Sequence, residues 1–238
     1  MQITAEEKLM YDVMKAIYDS GIPIDFKGSM VLRACLLEAG YHKEIRHTVD
    51  IDANWYSDDP PTAEQMTDSL QAALERAGMD LAVSLYRMYG EGRSAGFEIF
   101  DRDTGEILFT MDMDVNRPAA RTRIYEMEEI RFRGASPDQI LADKVSAVSG
   151  DKIFRRVKDV VDLYYLSQVF PFHGADIQQI VRNNGRVLGT FQGFLHGKDD
   201  LEYAYDKFRF TGEVNKPPFN EVYEAVKSYI GDILPGNL

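Results

Sequence analysis

A single cysteine, Cys35, stands in a chain of 238 residues, which excludes an intramolecular disulfide. Because Cys35 falls in an apolar run, it reads as a small core residue in a reducing compartment. Basic residues are also short: 27 Lys and Arg face 39 Asp and Glu, a formal charge of −12. A polyanion needs a cationic footprint, so nonspecific clamping of nucleic acid is excluded as the main function. No stretch of about 18 apolar residues is present to span a membrane. The segment after Met1, with Glu6, Glu7 and Lys8, lacks the basic start and apolar core of a secretory signal. The expectation is a soluble, cytoplasmic protein with no membrane partner.

Also missing are internal repeats, low-complexity tracts, long linkers, a Gly-x-Ser-x-Gly elbow and a Walker A loop. Gly90, Gly92 and Gly96 have the wrong spacing for a dinucleotide fingerprint. His42, His47, His173 and His196 show no metal-ligand spacing, so zinc has no support.

What is present, at 45% hydrophobic and 28% charged residues, is the composition of a folded globular protein. Thr4 and Glu7 form a capping-box pattern ahead of Leu9, Met10, Val13, Met14 and Ile17, which recur at helical spacing. Pro23 to Lys27 reads as a short strand, Gly28-Ser29 as a tight turn, and Met30 to Ala39 as a helix stopped by Gly40. From Arg46 to Ala53, Val49 and Ile51 alternate with Asp50 and Asp52, the period of a strand with one apolar and one acidic face. Thr62 and Gln65 cap a helix running to Gly78. Strands at 81–88, 96–100 and 106–115 form an antiparallel meander that turns at Asp103-Thr104-Gly105, and 121–133 holds one or two more. Beyond Gly134 the period becomes helical, with Ser136, Pro137 and Gln139 starting one helix and others at 153–168, 175–183, 199–209 and 218–231. The predicted fold class is α+β: a mixed-sheet N-terminal domain over 1–134 and a helical C-terminal domain over 135–238.

Asp50 and Asp52, two apart on a strand, put both side chains on one face with Cα atoms about 6.5–7 Å apart. Such a pair can hold hard cations jointly. Two magnesium ions bridged by carboxylates can activate an attacking oxygen and stabilise a leaving one in phosphoryl or nucleotidyl transfer. An Asp-x-Asp alone is more often a solvent-facing strand. Gly28-Ser29 at a helix start adds backbone N–H groups and a helix dipole that suit a phosphate, though serine there is also an ordinary N-cap. The strand Ile107 to Val115 carries a second acidic face, and two acidic strands in one small sheet are costly without cations between them. Either Asp112 or Asp114 can supply a third carboxylate; we favour Asp114 and expect Asp112 at a strand end in water.

Four segments, in order, are Phe26-Lys27-Gly28-Ser29, Arg46-His47-Thr48-Val49-Asp50-Ile51-Asp52, Ile140-Leu141-Ala142-Asp143-Lys144 and Arg156-Val157-Lys158-Asp159-Val160-Val161-Asp162-Leu163-Tyr164. Together they resemble the signatures of the AbiEii-type nucleotidyltransferase toxins, within the DNA polymerase β-like nucleotidyltransferase superfamily. The resemblance spans about residues 24–166. It implies a catalytic domain over 1–134 and a helical domain over 135–238 that completes the nucleotide site. Asp50, Asp52 and Asp114 would hold two Mg2+ ions, Gly28 and Ser29 would cradle phosphates, and Lys144 would contact the triphosphate. Lys158, or Arg155, and Asp159 would join the nucleotide site, with Asp162 as the alternative motif aspartate. The implied reaction moves a nucleoside monophosphate from an NTP to a hydroxyl of RNA, with the tRNA acceptor end as the expected acceptor. The implied role is the toxin of a toxin–antitoxin or abortive-infection system, with a cognate antitoxin as partner.

The residues add their own constraints. On a helix from Pro137 to Ser149, Ile140, Leu141, Val145 and Val148 form a stripe that Lys144 joins, so its ammonium must snorkel or meet an anion. On the next helix Arg155, Lys158, Asp159 and Asp162 share a face opposite Val157, Val160, Val161 and Tyr164, by itself a solvated face. The acidic net charge suits a small-molecule acceptor, as in antibiotic nucleotidyltransferases, and a noncatalytic nucleotide- or RNA-binding module is a third reading. Arg121, Arg123, Arg131 and Arg133 offer a local basic patch for RNA, while Tyr203, Tyr205, Phe208 and Phe210 read as helix packing.

Overall fold

A computed structural model of the chain describes residues 3–41, 43–90, 93–117, 121–128, 130–210 and 215–235; Met1, His42 and Gly92 lie outside them. The fold is α+β, and the chain divides into two compact units. Gln2–Cys35 and Thr48–Ala135 form one, Leu36–His47 and Ser136–Leu238 the other.

The first unit carries α1 (Ala5–Asp19), β1 (Ile24–Lys27), most of α2 (Gly28–Glu38), β2 (Asp50–Trp55), α3 (Ala63–Arg76), β3 (Leu81–Tyr89), β4 (Ser94–Asp101), β5 (Ile107–Val115), β6 (Thr122–Met127) and β7 (Ile130–Ala135). Its sheet runs β3-β4-β5-β2-β1-β7-β6. Parallel pairing of β2 with β5 and of β1 with β7 joins three antiparallel groups into one mixed sheet. Local chemistry starts the helices: Thr4 with Glu7 and Thr62 with Gln65 form reciprocal capping boxes. Asp101 makes the β4–β5 turn by accepting the backbone N–H groups of Asp103 and Thr104. Phe132 centres the core, with the rings of Tyr125, Phe26 and Tyr11 at 5.2, 5.8 and 6.0 Å. A buried Glu7–Arg33 ion pair at 3.0 Å joins α1 to α2.

The second unit contains α4 (Pro137–Val148), a 3-10 turn at Ile153–Arg155, α5 (Val157–Ser167), α6 (Gly174–Asn183), α7 (Gln192–His196), α8 (Lys198–Lys207), α9 (Phe219–Tyr229) and a 3-10 turn at Gly231–Ile233. Val160, Val161, Leu163 and Leu166 of α5 are buried, as are Val222 and Val226 of α9, the helix packed against it. None of the described helices is long and apolar enough to cross a membrane.

Several sequence expectations change. The acidic strand begins at Asp50, not Arg46, and Val49 is 60% exposed rather than on an apolar face. Arg46 instead belongs to the second unit, where it is buried. The expected helix at 153–168 breaks after the 3-10 turn, leaving Arg155 off α5. The short α7 is an addition to the expected helices. It follows Phe191, held at φ +58°, and depends on Gly193 lying where a Cβ would meet the Asp151 carbonyl at 2.4 Å. Tyr205 packs inside, but α8 ends at Lys207, before Phe208 and Phe210. Tyr203 is 64% exposed beneath the Lys207 ammonium. The basic patch also divides, because Arg123 pairs with Gly134 while Arg133 pairs with Ile124. Arg123 and Arg133 therefore point to opposite faces of the hairpin.

Candidate active site

In the sheet unit, Ile51 and Ala53 are fully buried, so alternation turns Asp50 and Asp52 together to the opposite face of β2. Asp50 accepts a hydrogen bond from the Thr48 hydroxyl at 2.7 Å. Lys27 is the register partner of Asp52 on β1, and Gly28 follows it at the start of α2 with φ +71°. A Cβ on Gly28 would lie 2.1 Å from Asp52 Oδ2. Only glycine satisfies both the backbone angle and this approach. The Gly28-Ser29 turn and the second aspartate of the pair are therefore packed against each other.

The parallel register with β5 sets Asp112 beside Asp52 and Asp114 beside Asn54. Asp112 lies inside β5, not at its end in water, and one guanidinium nitrogen of Arg87 reaches both its oxygens at 2.8 and 2.9 Å. Asp114 accepts from Lys27, Ser94 and Arg117. Burial would raise the Asp114 pKa, but Lys27 and Ser94, with Arg117, hold it below the ordinary carboxylate value.

In the helical unit, the apolar face of α4 carries Lys144 inward, where its ammonium meets Asp159 at 3.0 Å and Asp162 at 2.8 Å. Asp162 is fully buried on α5, contrary to the solvated face expected of it. Arg46 grips it from Nε to Oδ1 at 3.0 Å and from Nη2 to Oδ2 at 2.9 Å. Burial alone would lower the Lys144 pKa, yet Asp162 and then Asp159 raise it well above normal. Burial would raise that of Asp162, yet Lys144 and Arg46 hold it below the ordinary value. Lys144 thus stays charged, with two of its three N–H donors given to carboxylates. Asp159 is half-buried, and Arg156 also approaches it at 3.9 Å.

The predicted residues therefore gather in two places. Gly28, Ser29, Asp50 and Asp52 assemble in the sheet unit, with Asp114 one register step along; Lys144 and Asp159 meet in the helical unit. Lys158 is exposed on α5. Sequence reasoning missed Arg46 and Lys27, although both sit inside matched motifs, and it missed Arg87, for which no local signal exists.

Among the described residues, no three His, Cys, Asp or Glu side chains are grouped to hold a metal ion. Arg87 occupies Asp112 and Lys27 occupies Asp114. The hard oxygen pair of Asp50 and Asp52 nevertheless fits magnesium, which keeps several waters and commonly takes one or two carboxylates plus substrate phosphates.

A family model described as nucleotidyl transferase AbiEii toxin, type IV TA system, matches residues 16–225. Among solved structures, the nucleotidyltransferase toxin MenT4 from Mycobacterium tuberculosis H37Rv is similar over 98% of this chain and 88% of its own, at 14% identity and a TM-score of 0.56. At that identity the likeness is one of fold. An antigenic nucleotidyltransferase-like protein from Paracoccidioides brasiliensis is similar over 84% of this chain and 91% of its own, at 15% identity and a TM-score of 0.48. No curated protein sequence matches the chain.

Proposed function

Because this chain belongs to the AbiEii family of nucleotidyltransferase toxins of type IV toxin–antitoxin systems, we propose that it transfers a nucleoside monophosphate from an NTP to a hydroxyl of RNA, at the tRNA acceptor end. The acceptor oxygen attacks the α-phosphorus, the α–β bridging P–O bond breaks, and pyrophosphate leaves. The acceptor proton passes to a carboxylate of the Asp50–Asp52 pair. Magnesium, when bound, offsets phosphate charge and acidifies the attacking hydroxyl.

Asp50 and Asp52 would hold the metal, and Asp114 would join as the third carboxylate by exchanging its Lys27 contact for the ion. The backbone N–H groups of Gly28 and Ser29 cradle the phosphates at the start of α2. Lys144, kept charged by Asp162 and Asp159, directs its remaining N–H donor to the triphosphate, and Lys158 and Asp159 complete the nucleotide site. A cognate antitoxin is the regulating partner, and the cytoplasm is the compartment.

The observation that carries this reading is the close approach of Asp52 to Gly28, where an added Cβ would lie 2.1 Å from Oδ2. A glycine turn at a helix start packed against an acidic side chain supports a joint phosphate and metal site, because a merely solvated acidic strand does not require that approach. The net charge of −12 favours a second reading, transfer to a small molecule.

Label transfer from each of the four α-labelled NTPs, with magnesium and total tRNA, tests the proposal. Label should appear on RNA with the wild type and vanish with Asp52→Asn. Saturable NTP binding without transfer to any RNA overturns the RNA acceptor.

A further inference from the structure

The acidic face of the sheet continues past Asp112 to the edge strand β3, and its chemistry changes there. The first residues of β3 alternate into the core, but everything from Leu85 to Tyr89 is exposed, including Tyr86 at 38%, Met88 at 56% and Tyr89 at 41%. Edge strands are ordinarily blunted by charge, proline or a bulge; here Arg87 and a register shift are joined by two exposed tyrosines and a methionine.

The register shifts between Leu85 and Arg87, so Tyr86 and Arg87 both lie over Gly96. A Cβ on Gly96 would come within 2.6 Å of the Tyr86 ring and 2.9 Å of Arg87 Cγ. Glycine is what lets that ring lie on the sheet. The Arg87 guanidinium sits 4.8 Å from the centroid of Tyr86 and 5.2 Å from that of Tyr89, and it also holds Asp112, the register neighbour of Asp52. Tyr86, Arg87, Asp112 and Asp52 therefore form a continuous track on one face, β3 lying three strands, or about 14 Å, from β2.

We propose that Tyr86, Arg87 and Tyr89 form a stacking platform for unpaired bases of the RNA acceptor, feeding its 3′ end along this face toward Asp50 and Asp52. The proposal rests on the RNA-acceptor reading above and deepens it, since it names a single-stranded terminus rather than a duplex as the form bound. Stacking on aromatic rings and a guanidinium supplies sequence-tolerant affinity at each unpaired base, and Arg87 adds a positive charge beside the rings.

Fluorescence anisotropy of a labelled single-stranded oligoribonucleotide, titrated with the full chain, tests the platform without requiring turnover. The Tyr86→Ala/Tyr89→Ala variant should bind it roughly 5- to 150-fold more weakly, with NTP affinity unmoved. Tyr86→Phe/Tyr89→Phe should restore most of the loss, and a blunt RNA hairpin should bind more weakly than the single strand. Trp55 emission monitors the integrity of the sheet unit in each variant.

Unchanged single-strand binding in the alanine variant overturns the proposal, and so does an equal loss in the phenylalanine variant. Loss of antitoxin binding with RNA binding intact also overturns it, reassigning the edge as a protein interface. If label transfer to RNA proceeds with an unchanged acceptor KM in the alanine variant, the platform fails while the enzymatic reading stands. If transfer to RNA is absent but single-strand binding still depends on the two rings, the enzymatic reading fails and the platform stands.

Discussion

Replacing Asp162 with asparagine should unfold the helical unit far more readily than an isosteric change would suggest. Arg46, Lys144, Asp159 and Asp162 form a network in which two positive and two negative charges cancel, and the Asp162 and Arg46 side chains are only 1% and 6% exposed. The Asp162→Asn change would keep the shape but leave one uncompensated positive charge inside. Removing one partner of a buried pair costs about 3–5 kcal/mol, a large share of the roughly 5–15 kcal/mol that holds a typical protein folded.

The double variant Arg46→Met/Asp162→Leu removes both charges of the grip and leaves Lys144 with Asp159. It should stay within about 2 kcal/mol of the wild type, because apolar replacement of a whole buried pair is close to neutral. Urea unfolding followed by circular dichroism measures all three proteins. An Asp162→Asn midpoint corresponding to less than about 1 kcal/mol of loss, or a double variant weaker than the single one, would refute the reasoning.

The same network has an acid limit. The Asp162 pKa is depressed in the folded chain, because Lys144 and Arg46 outweigh its burial. Its contribution should be fully present above the ordinary carboxylate value of about 4 and be lost only as pH falls through the lower folded value. A urea midpoint difference between wild type and Asp162→Asn that holds from neutral pH to that value, then shrinks in stronger acid, is the expected result. Gly28→Ala must accommodate φ +71° and a Cβ 2.1 Å from Asp52 Oδ2. Nucleotidyl transfer should fall on the order of 100-fold, while the backbone cost of about 1–2 kcal/mol lowers Tm by only about 2–8 °C; Gly28→Asn, which tolerates the angle but not the contact, should be equally inactive. Asp114→Asn should remove transfer more completely than Asp112→Asn in the label assay if Asp114 is the third carboxylate. Thr4→Ala should lower stability by about 1 kcal/mol through loss of the α1 capping box, read as a shifted urea midpoint.

Where the physics is local, the sequence sufficed. Thr4 with Glu7 and Thr62 with Gln65 set helix starts across three residues, and the burial of Ile51 and Ala53 follows from the alternation that turns Asp50 and Asp52 outward together. The order of the four motifs identified the family, and the apolar stripe of α4 showed that the Lys144 ammonium must snorkel or meet an anion. Which anion was a tertiary matter: Asp162 stands 18 residues away and its second partner, Arg46, stands 116 residues before it, so a helical wheel of α5 alone places Asp162 in solvent.

Register was equally out of reach. A parallel ladder between β2 and β5 can form only after a long loop closes, and that ladder, not the acidic alternation of either strand, sets Asp112 beside Asp52 and gives Lys27 to Asp114. The hairpin register likewise splits Arg123 from Arg133, although both carry odd numbers on adjacent strands. By itself the sequence determined most element types, the family and the candidates for the site, because capping, alternation and motif order act over a few residues. Only the tertiary structure decided which of those charges neutralise one another and that Gly28 must touch Asp52, because such pairings depend on strand register and burial between segments far apart in the chain.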